Sequence, residues 1–244
     1  MDSGYYAACT ALMSRAQALD TIANNLANTS TSGYRGQHNV FQAVLANTEG
    51  SSPLSQAVNS FGILRGTRLD PGQGTLDRTG NETDLAIEGP GFFVIQTTSS
   101  KVYTRNGNFH VSRDNQLVTT SGDPVMGENG PVAVVGSPLS ISPDGTISAD
   151  GALAGKLAIA EFPAGTEMNN LGQSYYSASA PPAQSAQSSH VRQGMLEESN
   201  VNAVSSVVEL VTVQREAEMM QRILSLLNSD IDKVAVQELP RVSG

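Results

Sequence analysis

Apolar residues recur every three or four positions near the start of the chain, and this spacing is typical of one face of an α-helix. The residues on this face are Tyr5, Ala8, Leu12, Ala16, Leu19, Ala23 and Leu26. The face is narrow and rich in alanine. We predict that the hydroxyl-rich segment 29–33 ends the helix, because Gly33 can supply a left-handed cap and hydroxyl side chains compete for backbone hydrogen bonds.

A second apolar face with the same spacing lies near the other end of the chain. Its residues are Val207, Leu210, Val213, Ala217, Met220, Leu224, Leu227, Ile231 and Val234. Asn202 is the predicted N-cap of this longer helix, and Glu197 and Glu198 lie near its positive end. Both faces are as narrow as a coiled-coil seam, so each helix is expected to need partner helices.

Between the two helices the apolar pattern changes to a period of two, and turn residues become frequent. This pattern predicts short strands at 84–88, 92–97, 101–105, 108–111, 116–120, 132–135, 139–142, 146–148 and 156–162. The pair Asn106-Gly107 predicts a tight hairpin between the third and the fourth of these strands. The middle of the chain is therefore predicted to be an all-β domain of antiparallel strands.

The predicted fold class is α+β, with the N- and C-terminal helices pairing as a coiled-coil unit and the all-β domain inserted between them. The helical unit is expected to comprise residues 1–36 and 195–244, and the β-rich domain residues 75–172. The segments 37–74 and 173–194 are rich in small and turn-forming residues, so we interpret them as an extended connection and an extended return segment.

Composition and charge narrow the possible functions. Charged residues make up 15% of the chain, against about 25% in an average soluble domain. The net charge is −9 and no basic cluster occurs, so we expect no nucleic-acid partner. No apolar run approaches the length of a membrane helix, and the first nine residues lack the features of a secretory signal, so we expect neither membrane insertion nor a cleavable signal. Because interface cores are depleted in charge, this composition favours a protein that polymerises with its own kind.

Candidate chemistry is sparse. Cys9 is the only cysteine, so an intramolecular disulfide and a cysteine-built zinc site are both excluded. The three histidines are isolated, and no motif for nucleophilic or zinc catalysis occurs. Asp84 and Glu88 would lie about 13 Å apart on a strand, farther than the ~6.5–9.5 Å of inverting glycosidases. We expect no enzyme, cofactor or metal site, while a β-rich hydrolase or a carbohydrate-binding module stays open as an alternative.

Three blocks of sequence resemble the family of bacterial flagellar rod and hook proteins. The first is residues 22–35, from Ile22-Ala23-Asn24-Asn25 to Gly33-Tyr34-Arg35. The second is 84–93, Asp-Leu-Ala-Ile-Glu-Gly-Pro-Gly-Phe-Phe, followed by 103–109, Tyr-Thr-Arg-Asn-Gly-Asn-Phe. The third is 193–202, Gln-Gly-Met-Leu-Glu-Glu-Ser-Asn-Val-Asn. The stretch 125–132 and the modest length are most similar to proximal-rod members, and distal-rod members are similar throughout. Members often carry an aromatic residue soon after a Gln-Arg pair in the last helix, where this chain has Gln214-Arg215-Glu216-Ala217.

The resemblance implies a structural subunit of the basal-body rod, the hollow axle that crosses the periplasm and transmits torque. It also implies export through the flagellar type III apparatus without a cleavable signal, and partners among other rod and hook proteins and copies of the same chain. A distal-rod or hook-type axial protein is the alternative within the family. The tail after Val234 is assigned no role. The residues of the predicted assembly interface are Leu12, Leu19, Ile22, Leu26, Leu210, Val213, Met220, Leu224, Leu227 and Ile231.

Overall fold

The fold comes from a computed structural model that describes residues 2–43, 62–163, 165–183 and 188–238. Side chains in 2–8, 41–43, 62–66 and 227–238 are outside this description. The chain divides into two units. The helical unit comprises the described residues of 1–26, 38–67 and 203–244, and the β unit comprises those of 27–37 and 68–202. Both predicted terminal helices are present, as α1 (Asp2–Ala27) and α2 (Ala203–Glu238).

The two helices pack through a small buried cluster in the helical unit. Ala18, Ile22 and Val213 form this cluster, and Leu19 and Leu210 pack against it. Beside it, Arg15 and Glu216 form an ion pair with a nitrogen–oxygen distance of 3.2 Å. The helix α2 begins directly after Asn202, as the N-cap prediction requires.

The buried face of α1 differs from the face that the spacing predicted. Ala16 and Ala23 are exposed, whereas Ser14, Ala18 and Asn25 are buried. One residue turns a helix by about 100°, and the buried face is rotated from the predicted one by roughly that angle. The buried side of α1 therefore combines the small side chains of Ser14 and Ala18 with the larger Ile22.

Eighteen strands occur in the described part of the chain. They are β1 Gln37–Ala43, β2 Gly62–Leu69, β3 Leu76–Arg78, β4 Leu85–Glu88, β5 Phe92–Gln96, β6 Lys101–Thr104, β7 Phe109–Val111, β8 Leu117–Thr119, β9 Met126–Gly127, β10 Gly130–Pro131, β11 Leu139–Ile141, β12 Thr146–Ala149, β13 Ala152–Lys156, β14 Ile159–Ala160, β15 Met168–Gly172, β16 Tyr175–Ala178, β17 His190–Gln193 and β18 Met195–Glu197. The α+β class with a β-rich middle is confirmed.

The largest sheet has five strands in the order β14-β5-β6-β16-β15, and a second has three in the order β11-β12-β13. The remaining strands form two-stranded ribbons, namely β1-β2, β3-β18, β4-β17, β7-β8 and β9-β10. The core of the β unit is apolar and includes Ile87, Phe93, Ile95, Phe109 and Leu117. Strands β1 and β2 lie in the predicted connection 37–74, and β16 and β17 lie in the predicted return segment 173–194.

The predicted hairpin at Asn106-Gly107 is wrong. The strand before it, β6, pairs with β5 and β16, and the strand after it, β7, pairs with β8. A Cβ on Gly107 would lie 1.6 Å from the carbonyl oxygen of Leu85, and the Leu85 N–H donates to the Gly107 carbonyl at 3.0 Å. The pair therefore forms a corner that leads the chain from one ribbon into another, because a tertiary contact overrides the local turn preference.

Two further strand predictions also differ from the structure. The segment 132–135 is not a strand, and the chain instead pairs β9 with β10 just before it. Val132 is nevertheless buried. Its N–H donates to the Val125 carbonyl, and its carbonyl accepts a hydrogen bond from the Leu117 N–H. The segment 156–162 is divided between the end of β13 and the two-residue β14. Alternation of apolar residues thus located buried positions better than it located strand ends.

Candidate functional site

The most constrained polar site in the β unit is a buried cluster of two arginines and one glutamate. The Glu197 carboxylate accepts a hydrogen bond from Arg35 Nη2 at 3.2 Å and from Arg105 Nη1 at 2.9 Å. All three residues are at most 3% exposed. The backbone N–H of Gly74 also donates to this carboxylate, at 3.1 Å. We call Arg35, Arg105 and Glu197 the ion cluster.

Each member of the ion cluster comes from a different part of the chain. Arg35 follows the turn after α1, Arg105 follows β6, and Glu197 ends β18 shortly before α2. Gly33 brings the first of these segments close, since its N–H donates to the Glu197 carbonyl at 2.7 Å. Each of the three sequence blocks singled out above therefore contributes one residue, which sequence spacing alone could not reveal.

The ion cluster holds two positive charges against one negative charge. Backbone carbonyls compensate: Arg35 donates to Pro71, and Arg105 donates to Ile87 and Gly89. The ring of Phe92 lies against both guanidinium groups. Its centroid is 5.9 Å from the Cζ atom of Arg35 and 5.0 Å from the Cζ atom of Arg105, which is a cation–π geometry. Burial, together with the charge of Arg35, lowers the pKa of Arg105 to about 10, although Glu197 opposes this shift.

Tyr176 closes one side of the ion cluster. Its hydroxyl oxygen accepts a hydrogen bond from the backbone N–H of Arg35 at 3.0 Å. Burial raises the pKa of Tyr176 to about 12. The described partners of the Glu197 carboxylate are all protein donors, so the arrangement anchors chain segments and offers no free acid or base.

The predicted assembly interface is distributed over the two helices. Ile22 and Val213 are buried in the cluster described above, with Leu19 and Leu210 against it. The other predicted residues with described side chains, Leu12, Leu26, Met220 and Leu224, are half-buried. Leu227 and Ile231 belong to α2, but their side chains lie outside the described residues.

A second apolar face of α2 was missed by the sequence reasoning. Its members are large apolar side chains that are between 41% and 76% exposed: Val204, Val208, Val211, Met219, Ile223 and Leu226. At about 100° per residue, these positions centre on the side of the helix opposite Val213 and Ala217. The sequence carries a signal for this face. Its apolar residues at 204, 208, 211, 219 and 226 follow helical spacing, and Arg215 is the charged residue at the position between 211 and 219 where the spacing would place another apolar one. We call this set the outer stripe.

The two carboxylates considered for hydrolysis have separate structural contacts. Asp84 is buried and accepts a hydrogen bond from Asn81 Nδ2 at 3.3 Å. Glu88 forms a half-exposed ion pair with Arg192, with a distance of 2.7 Å. Within the described residues no group of three or more His, Cys, Asp and Glu side chains is placed to hold a metal ion. None of the helices described is both long and apolar enough to cross a membrane.

Three family descriptions match separate parts of this chain. "Flagella basal body rod protein" matches residues 6–35, "Flagellar hook protein FlgE/F/G D1 domain" matches 86–149, and "Flagellar basal body rod FlgEFG protein C-terminal" matches 192–237. Each matched region contains one residue of the ion cluster. The architecture and these matches define the class of axial flagellar proteins.

Full-length relatives agree with these matches. The flagellar basal-body rod protein FlgF of Escherichia coli (strain K12) is 34% identical over 94% of this chain and 96% of its own length. The FlgF of Caulobacter vibrioides is 29% identical over all of both chains. The FlgG of Buchnera aphidicola subsp. Baizongia pistaciae is 30% identical over 89% of this chain and 93% of its own. The chain therefore belongs to the family of flagellar basal-body rod proteins, as the three sequence blocks indicated.

Proposed function

We propose that this chain is a structural subunit of the flagellar basal-body rod, and that it assembles through its terminal helices with other axial subunits and with copies of itself. The outer stripe of α2 carries this proposal. One face of α2 is buried against α1, while the opposite face presents six large, exposed apolar side chains. A contiguous exposed apolar face on a helix marks a site of interaction with another protein or a membrane.

The proposed assembly core is made by the two terminal helices. We propose that the two helices within 1–36 and 195–244 form the axial core and pair as a coiled coil. Residues 27–36 and 195–202 belong to the β unit, and strands β1, β2, β16 and β17 lie in the segments 37–74 and 173–194 that the sequence predicted to be extended connections to the β-rich domain at 75–172. The packing of Ile22 with Val213 supports this pairing. The proposed interface includes Leu12, Leu26, Met220, Leu224, Leu227 and Ile231, whose spacing continues the same helical faces.

Within the rod we propose a proximal position. The FlgF relatives of Escherichia coli and Caulobacter vibrioides cover 94% and 100% of this chain, whereas the FlgG relative of Buchnera aphidicola covers 89%. This fuller coverage agrees with the resemblance of 125–132 to proximal-rod members. We further propose that the subunit works in the periplasmic part of the basal body, reaches it through the type III export apparatus without a cleavable signal, and transmits torque without catalysing a reaction.

The test replaces one residue of the outer stripe by a charged one. Val208→Asp places a carboxylate at the centre of the surface that neighbouring helices would cover, where burying it unpaired is unfavourable. Because Val208 is 63% exposed, the variant should be exported and remain folded. We expect loss of swimming, and basal bodies that end before the distal rod in electron micrographs, as in a strain lacking the gene.

The matched control is Gln221→Asp, which introduces the same charge on the same helix at an exposed position outside the outer stripe. It should support normal swimming. Normal motility with Val208→Asp would exclude the outer stripe from the assembly surface. Complete hooks in the deletion strain would overturn the proposed function itself.

A further inference from the structure

The side of α1 that faces away from α2 is exposed and carries one charge. Four exposed residues follow helical spacing on this side, namely Met13, Ala16, Asp20 and Ala23. Asp20 is two residues from each of the buried Ala18 and Ile22, so at about 100° per residue it lies on the opposite side of the helix. We call these four residues the outer face of α1.

The outer face of α1 and the outer stripe of α2 are each interrupted by one charge, and the two charges have opposite signs. Asp20 interrupts the first and Arg215 the second. Both side chains are exposed, and in the described part of the chain neither takes part in an ion pair. Arg15, the other charged side chain described in α1, is paired with Glu216. Each outer surface therefore presents one charge that has no counter-charge within its own subunit.

We propose that the outer stripe of α2 packs against the outer face of α1 in a second copy of this chain, with Arg215 paired to Asp20 of that copy. This inference rests on the proposed function and names the partner surface for the outer stripe. Between packed helices, opposite charges set the partner and the register. The pair of charges is therefore the feature that identifies the occupant of the stripe.

The two surfaces also match in the size of their side chains. The outer stripe presents large apolar side chains such as Val211 and Met219, whereas the outer face of α1 has alanine at 16 and 23. The distance between packed helices depends on the side chains at the contact, so the alanines leave room for the larger residues of the stripe. Contact between unlike surfaces would cover the exposed apolar area on both helices.

The two charges lie at similar heights in the helical unit. The helices run antiparallel, since the Arg15–Glu216 pair precedes the cluster around Ile22 in α1 and follows that cluster in α2. With positions 15 and 216 level, Asp20 is level with position 211. Arg215 is four residues from that position, which is about 6 Å along the axis. An extended arginine side chain spans this distance, so two copies side by side can bring the charges into contact.

Contacts between like surfaces are unfavourable. In a twofold contact of two outer stripes the same surface meets itself, and Arg215, in the middle of the stripe, would face the Arg215 of the other copy. Two outer faces of α1 would bring Asp20 against Asp20 in the same way, and like charges repel. Unlike surfaces avoid both clashes. Because each chain carries both surfaces, such a contact repeats from copy to copy and gives a ring or a helical array.

The first test exchanges the two charges in cells. Asp20→Arg and Arg215→Asp are substitutions at exposed positions, so each should leave the melting temperature of the monomer unchanged. Each should reduce the swimming-ring diameter about threefold, because like charges would then meet at the contact. The double variant restores an opposite pair and should recover most of the parental diameter. No recovery in the double variant would overturn the contact.

The matched control for this exchange combines Asp20→Arg with Arg222→Asp. It introduces the same two charges, but the new carboxylate lies seven positions farther along α2 than Arg215. This combination should swim as poorly as Asp20→Arg alone. Recovery equal to that of the double variant with Arg215→Asp would overturn the assigned pair.

A cross-linking experiment tests the contact without relying on charge. Two differently tagged copies are produced together, one with Asp20→Cys and the other with Arg215→Cys, and both with Cys9→Ser so that no other thiol is present. Oxidation of isolated basal bodies by copper phenanthroline in air should remove one hydrogen from each thiol and join the two tags by a disulfide. Gln221→Cys in place of Arg215→Cys is the control and should give no link. Absence of the first link, or an equal link in the control, would overturn the proposal.

These outcomes separate the contact from the proposed function. If Val208→Asp abolishes swimming while the exchanged charges give no recovery and the tags do not link, the chain is a rod subunit whose outer stripe is covered by a different axial protein. That result would overturn the contact alone. Complete hooks in the deletion strain would overturn the proposed function and the contact together.

Discussion

At the scale of single residues, the ion cluster is the feature with the largest energetic consequences. A buried charge is tolerated only when it is paired and hydrogen-bonded, and the cost of removing one partner exceeds the net contribution of the pair. Among the residues that the structure describes, Glu197 is the one carboxylate that forms ion pairs with Arg35 and Arg105. The two arginines are additionally held by carbonyls and by the Phe92 ring, so the cluster fixes the geometry of three chain segments at once.

The first prediction concerns Glu197→Gln, which leaves two buried guanidinium groups without a counter-charge. We expect the free energy of unfolding to fall by about 3–5 kcal/mol. Glu88→Gln makes the same change in an ion pair whose side chains are 50% exposed, and it should cost less than about 1 kcal/mol. Chemical denaturation followed by circular dichroism measures both. Equal losses for the two variants would show that the ion cluster has no special role.

The second prediction concerns alkaline pH and Tyr176. The folded protein has a raised pKa of about 12 for this phenol, against an ordinary value of 10.0. Below pH 10 the phenol is protonated in both the folded and the unfolded chain, so its contribution to the free energy of unfolding is fully present. As pH rises from 10 through 12, the unfolded chain releases this proton more readily than the folded protein, and the contribution is lost. The loss amounts to about 3 kcal/mol.

Tyr176→Phe removes this ionisation, so its free energy of unfolding should fall less between pH 10 and pH 12 than that of the parent. The variant starts from a lower value at neutral pH, since the Arg35 N–H loses its acceptor. Between pH 6 and pH 9 the difference between the two proteins should be constant. Parallel curves through pH 12 would refute the assignment.

At the scale of elements, turns and corners are decided by close contacts between distant segments. Gly33 does not cap α1, which ends six residues earlier at Ala27. Its φ angle is +67°, and a Cβ there would lie 2.2 Å from the backbone nitrogen of Asn106. The glycine is therefore required where the segment leaving α1 crosses the corner after β6.

The third prediction follows from this crossing. Gly33→Ala should destabilise the protein through the left-handed backbone, at about 1–2 kcal/mol, and through the clash with the Asn106 backbone, at about 1–3 kcal/mol more. Gly80→Ala is the matched control, because Gly80 has a similar φ of +75° but no atom within 4 Å of the added Cβ. It should show only the backbone cost. Melting curves of the two variants compare them directly, and equal midpoints would argue against the crossing.

The sequence predicted those elements whose signals are local. Helical spacing located α1 and α2, and alternation located most strands from β4 to β12, because the burial of one face decides these patterns. The hairpin at Asn106-Gly107 was mistaken since its strands find other partners. The ion cluster was invisible because Arg35, Arg105 and Glu197 are ordinary charged residues until the fold brings them together. The outer stripe was readable but was overlooked beside the stronger stripe through Val213.

At the scale of the whole molecule, the two units differ in how much apolar surface each buries. The core of the β unit includes large side chains such as Phe93, Phe109 and Leu157. The described core of the helical unit consists of Ala18, Ile22 and Val213, with two leucines against it. Opening a unit costs free energy in proportion to the contacts it loses, so the helical unit should be the less stable one in an isolated subunit.

This difference gives the last prediction, which concerns amide hydrogen exchange in a demonstrated monomer. Helices with little tertiary packing are marginal in water, so amides of Leu12–Leu26 and of 203–226 should exchange faster than those of β5 and β6. Limited proteolysis should cut the helices first and leave the β unit resistant. On assembly the same helical amides should become protected, because neighbouring subunits would then cover the outer stripe. Slow exchange across Leu12–Leu26 in the monomer would instead show that the helices are stable without partners, and assembly could not then depend on their ordering at the growing end.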